Sequence, residues 1–157
     1  ILLDFMAMSL CDLMPLNPKS SNLRPSRRPL PELVYFIQKV TYQARINCRT
    51  ALVALIYLNR AKAALPKNAV GSDDTCHRML LGALLLASKF LQDTTWYTVK
   101  DEPLTNRRLH DVCCGIFSLD DIHQLERAFL KLIRYECWVD DKDVDAFVLH
   151  HRADFFL

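Results

Sequence analysis

The chain has 157 residues and a formal net charge of +2, from 20 basic and 18 acidic side chains. Hydrophobic residues make up 51% and charged residues 24%, which indicates a globular chain with one sizeable core and excludes disorder. The charge balance is too even for a nucleic-acid-binding surface, and no apolar run approaches the length of a membrane span.

Only three glycines occur, β-branched runs are few, and no Asn-Gly or Asp-Gly hairpin signal is present. These features predict an all-α protein. Residues 1–14, ILLDFMAMSLCDLM, read as a short amphipathic helix with Leu2, Leu3, Met6, Leu10, Leu13 and Met14 near one face. The stretch carries Asp4 and Asp12 and no basic leader, so it does not read as a signal peptide. Pro15 ends this helix, and residues 15–31 hold five prolines in a linker without a helix of its own. Its basic cluster of Arg24, Arg27 and Arg28 reads as solvated linker, with a phosphate-binding patch as the alternative.

Pro31 suits the first turn of the next helix, ELVYFIQKVTYQARI, whose Leu33, Phe36, Ile37, Val40 and Ala44 repeat at helical spacing. A break near Asn47 leads to RTALVALIYLNRAKAAL, which stops before Pro66. Ser72, Asp73 or Asp74 can cap the following helix, TCHRMLLGALLLASKFLQD, the most hydrophobic in the chain. After the connection TTWYTVKDEP comes LTNRRLHDVCCGI, with Thr105 or Asn106 as its cap and Gly115 at its end. Ser118 and Asp121 form a capping-box pattern at the head of a long helix over 119–138. The tail allows a last helix from Val144 onward. Five helices between about 31 and 138, flanked by one on each side, make a helical bundle with no solenoid repeat.

Two charges interrupt apolar faces. Lys89 shares a face with Met79, Gly82, Leu86 and Phe90, and Glu126 shares one with Ile122, Phe129, Leu130 and Ile133. Each reads either as a surface charge at the edge of a core stripe or as half of a Lys/Glu pair on neighbouring helices. In the second reading the pair is the polar centre of an exposed apolar patch, the anatomy of a protein-binding site.

These residues carry a family resemblance. ASKF closing a hydrophobic helix, followed by LERAFLKLIRYE, resembles the cyclin box, a five-helix domain with a central third helix. ALVALIYLNRA resembles its second helix and TNRRLHDVCCGI its fourth. His77-Arg78, Thr105-Asn106 and the apolar N-terminal helix before a Pro- and Arg-rich segment are similar to single-box fungal phosphate-pathway cyclins and their P-type relatives. The likeness covers roughly residues 1–140. It implies an N-terminal helix and linker over 1–31, a cyclin box over 32–140 and a tail or helix over 141–157.

The resemblance implies a regulatory subunit that binds and activates a cyclin-dependent protein kinase by packing on its αC helix. The family's Lys/Glu pair maps onto Lys89 and Glu126, and neighbouring apolar contacts onto Leu86, Phe90 and Leu130. It implies an intracellular protein of cytoplasm or nucleus, with no catalytic residue, cofactor, metal, nucleic acid, membrane or small-molecule substrate of its own. Two departures stand out. YFIQKVTYQARIN lacks the Met-Arg-Ala-Ile-Leu stretch with which cell-cycle cyclins dock substrates, and Cys113-Cys114-Gly115 stands where relatives often place two glycines. The alternative function is a cyclin-fold adaptor without kinase activation.

The residues offer little to an enzyme. His110 and Cys114 are spaced i, i+4, and Cys76-His77 and His150-His151 complete the candidates for metal or nucleophile chemistry. They lack the paired spacing of zinc motifs, and neither a P-loop nor a dinucleotide fingerprint occurs. The six cysteines, without any C-x-x-C, read as reduced, buried thiols.

Overall fold

A computed structural model describes residues 1–14, 30–93 and 104–155. The linker residues 15–29, with the arginine cluster, and the connection at 94–103 lie outside the described residues. Eight helices form among the described residues: α1 (Leu2–Cys11), α2 (Leu33–Gln43), α3 (Cys48–Ala64), α4 (Thr75–Gln92), α5 (Asn106–Val112), α6 (Leu119–Leu132), α7 (Asp141–His150) and α8 (Arg152–Phe155). The all-α expectation is met, with five helices, α2 to α6, in the order read from the sequence.

Helix α4 is apolar nearly all round because it is buried nearly all round. Leu80, Leu81, Ala83, Leu84, Leu85 and Ala87 are fully enclosed. Helices α1, α2, α3, α5 and α6 pack on it. Each buried leucine contributes roughly 2 kcal/mol of apolar transfer. Among the described residues no helix is long and apolar enough to cross a membrane.

The helix starts follow capping chemistry. Asn47 accepts from the Thr50 amide at 2.8 Å and Thr105 from the Arg108 amide at 3.1 Å. Ser118 and Asp121 close the expected capping box on α6, with bonds of 3.1 and 3.0 Å. A second box, Asp140 with Asp143, starts α7 at Asp141, three residues before the expected Val144. Helix α4 differs from expectation. Asp74 holds the cap position without a side-chain cap bond, while Ser72 donates from its hydroxyl to Asp74 at 2.7 Å and from its amide to Thr75 Oγ1 at 2.8 Å. Pro31 also falls outside the first turn, because Glu32 is the α2 cap. Its carbonyl accepts from His77 Nε2 at 2.8 Å instead, tying the entry of α2 to α4.

The largest correction concerns α6. The apolar pattern suggests a helix to 138, yet it stops at Leu132, and Arg134 and Tyr135 take φ of 57° and 60°. Ile133 and Val139 are both buried. The chain turns between them, so that Ile133 at the helix end and Val139 beyond the turn both face the core. Tyr135 consequently leaves the apolar stripe and stands 68% exposed.

The cysteines also divide. All six are free thiols, but only Cys76 and Cys113 are buried; Cys137 is half-buried and Cys11, Cys48 and Cys114 are exposed. Burial pushes the Cys76 thiol up to about 11, helped by nearby Cys11, and the Cys113 thiol up to about 12, helped by Cys114.

Candidate protein-binding site

Lys89 lies in the last turn of α4 and Glu126 in the middle of α6. Lys89 Nζ donates to Glu126 Oε2 at 2.6 Å, so the two charges are a pair. What allows the approach is Gly82, two turns earlier on α4. A Cβ placed there would meet Phe129 Cβ at 2.8 Å, so only a glycine lets α6 lie this close.

The pair has a third member. Asn106, the first residue of α5 and 9% exposed, accepts from Lys89 Nζ at 2.7 Å and donates to Glu126 Oε1 at 3.1 Å. Its amide also donates to His123 Nδ1 at 3.0 Å. The ammonium can only donate, so it fixes the amide oxygen toward Lys89 and the nitrogen toward Glu126 and His123. Sequence reading weighed Asn106 as a cap and as part of the Thr105-Asn106 likeness, and missed this role. Thr105 caps the helix, which frees Asn106 for the network.

An apolar face surrounds the network. Leu86 is 8% exposed and forms its floor, while Phe90 and Leu130 are partly buried and open to solvent. Trp138, read from the sequence as the last residue of a helix, instead stands 70% exposed with its ring edge-on to Phe90, centroids 5.9 Å apart. The network is charge-balanced and holds no nucleophile. Its side chains are 40% exposed at Lys89 and 17% at Glu126, which leaves donor and acceptor capacity on the solvent side. Such a surface is suited to recognising another protein.

The other candidates do not converge. Cys76 donates to the Leu10 carbonyl at 3.3 Å, and His77 is turned to Pro31. His110 faces Asp111 at 3.4 Å, and Cys114 sits past the end of α5 with φ of 51°. His151 packs against Phe5 and Phe147 beside Asp154. Among the described residues no group of three or more His, Cys, Asp or Glu side chains is placed to hold a metal.

The fold and site define a cyclin-type helical domain. The cyclin N-terminal domain family model matches residues 7–137, and the chain belongs to that family. Among curated relatives, PHO85 cyclin-1 of Saccharomyces cerevisiae is 34% identical over 115 residues, covering 73% of this chain and 38% of the relative. PHO85 cyclin-9 of the same yeast is 25% identical over 143 residues, covering 91% of this chain and 44% of the relative. PHO85 cyclin-2 is 25% identical over 126 residues, covering 80% and 38%. The chain thus spans about two fifths of the length of these relatives. No solved structure matches it. The resemblance to phosphate-pathway cyclins agrees with all three relatives.

Proposed function

We propose that this chain is the regulatory subunit of a cyclin-dependent kinase of the kind for which its yeast relatives are named. Leu86, Lys89, Phe90, Glu126 and Leu130 form its kinase-binding face. The observation that carries this reading is the Lys89–Glu126 pair, fixed at 2.6 Å inside a partly exposed apolar face. The box is assigned to residues 32–140.

The mechanism is allosteric. An apolar face with a fixed polar centre packs on the mobile αC helix of the kinase and favours its inward position. That position lets the kinase form its own Lys–Glu ion pair and order its activation segment. A partner shifts such an equilibrium only by its differential affinity for the two states, so this chain supplies binding energy and no catalytic group. Its site of action is intracellular, where such kinases work.

The test is capture and activation of a co-expressed cyclin-dependent kinase. Lys89→Glu and Glu126→Ala should each weaken capture strongly while the helical spectrum is retained. Both variants activating the kinase like the wild type would sink the reading. Retained fold with neither wild-type capture nor activation would favour the adaptor alternative.

A further inference from the structure

The end of α1 and the start of α4 bring two thiols together. Cys76, the second residue of α4 and 4% exposed, donates from its thiol to the Leu10 carbonyl at 3.3 Å. In a trans peptide a carbonyl oxygen lies about 2.8 Å from the Cα of the next residue. The next residue is Cys11, so the Cys76 sulfur stands within about 6 Å of the Cα that carries the second thiol.

The two thiols differ in access. Cys11 is the last residue of α1 and is exposed, whereas Cys76 is buried. Met6 and Leu10 are fully buried, and α1 packs on α2, α3 and α4, which holds the end of the helix against Cys76. Cys113 and Cys114 are also neighbours, but adjacent residues bond only through a strained ring.

We infer that Cys11 and Cys76 are an oxidant-responsive pair, which hydrogen peroxide joins in an internal disulfide that latches α1 onto α4. This inference stands apart from the kinase-binding reading. The order of events follows from access. The Cys11 thiolate attacks the peroxide and becomes a sulfenic acid; the O–O bond breaks, and hydroxide leaves and takes up the proton that the thiol released. The Cys76 sulfur then attacks the Cys11 sulfur. The S–S bond forms, the S–OH bond breaks, and hydroxide departs as water with the Cys76 proton. The two sulfurs together lose two electrons, and the peroxide gains them. Burial keeps the Cys76 thiol protonated, so the second attack is the slow step. Closure brings the two Cα atoms within about 7 Å, a movement confined to the last turn of α1. The bond reaches across α2 and α3 and therefore restricts a long stretch of the unfolded chain.

The experiment treats the folded full chain with hydrogen peroxide, alkylates the remaining thiols and maps the peptides without reduction. The wild-type chain should yield a peptide linked through Cys11 and Cys76, with the mass of two hydrogens lost and restored by dithiothreitol. Cys11→Ser should remove the link, and Cys76→Ala should leave Cys11 as a sulfenic acid that dimedone traps. In the oxidised wild type, amide exchange over α1 should slow and the melting temperature should rise by roughly 5–15 °C. Cys11 advancing to sulfinic acid in the folded wild type, with Cys76 still alkylatable after unfolding, overturns the inference without recourse to any variant. Dimers linked through Cys11 in place of the internal bond overturn it too, as does a linked peptide that forms only in urea. A link that leaves exchange over α1 unchanged overturns the latch.

Discussion

Gly82 lies directly against Phe129: a Cβ at residue 82 would sit 2.8 Å from Phe129 Cβ and 2.9 Å from Cγ. Contact this close sets the separation of α4 and α6, and that separation decides whether Lys89 reaches Glu126. The Lys89–Glu126 pair thus depends on a missing side chain two helical turns away.

Gly82→Ala therefore brings two opposed effects. Alanine favours the helix by about 1 kcal/mol, but overpacking against Phe129 costs roughly 1–3 kcal/mol. Phe129 is 3% exposed, so its ring has little room to give. The expected result is a net loss of stability, measured by urea denaturation, together with weakened kinase capture. An unchanged midpoint would show that α6 shifts freely.

Asn106→Ala removes one acceptor from Lys89 and one donor from Glu126 while leaving the ion pair. Stability should fall by about 1–2 kcal/mol, since the orphaned partners are partly buried. Kinase affinity should fall less than for Lys89→Glu. His123→Ala removes only the outer bond, and His123 is exposed, so its effect on both measurements should be small.

Tyr57→Phe tests the turn after α6, where the Tyr57 hydroxyl donates to the Cys137 carbonyl at 2.7 Å. Burial pushes the Tyr57 hydroxyl well above its ordinary range, with Cys137 adding to the shift and Arg60 opposing it, so the group stays protonated as a donor. Losing its bond to the Cys137 carbonyl should cost about 1 kcal/mol. Amide hydrogen exchange across 133–139 should rise without general loss of helix protection.

The thiols should separate by reactivity. At neutral pH, iodoacetamide should label exposed Cys11, Cys48 and Cys114 in the folded chain and spare Cys76 and Cys113, read by peptide mass mapping. The two buried thiols also carry a pH dependence. Their folded values, about 11 and about 12, lie above the ordinary 9.0, so their contribution to stability is complete below pH 9. It is lost as pH rises from 9 through 11 to 12, because the unfolded chain releases its protons first. Replacing both by alanine should flatten that alkaline decline.

Helix type, order and most starts were legible from local chemistry. Apolar residues at helical spacing marked α1, α2, α4 and α6, and Thr105 and Ser118 are caps because their short side chains reach amides three residues on. Periodicity also marked Lys89 and Glu126 as misfits on apolar faces, and the resemblance proposed that they meet. The end of α6 was not legible. No glycine or proline marks it, and the turn at Arg134 and Tyr135 is held by side chains of α3, with Tyr57 donating to the Cys137 carbonyl and Arg60 to the Glu136 carbonyl.

By itself, the sequence determined an all-α domain with two suspect charges, because helix periodicity and capping are local properties of the chain, and its motifs resembled the cyclin box. Tertiary structure decided that the charges pair at 2.6 Å, that Asn106 joins them, and that Trp138 stands outside. Each of those facts is a contact between residues distant in sequence. Such contacts follow from how closely helices approach, and here a single glycine against Phe129 sets that approach.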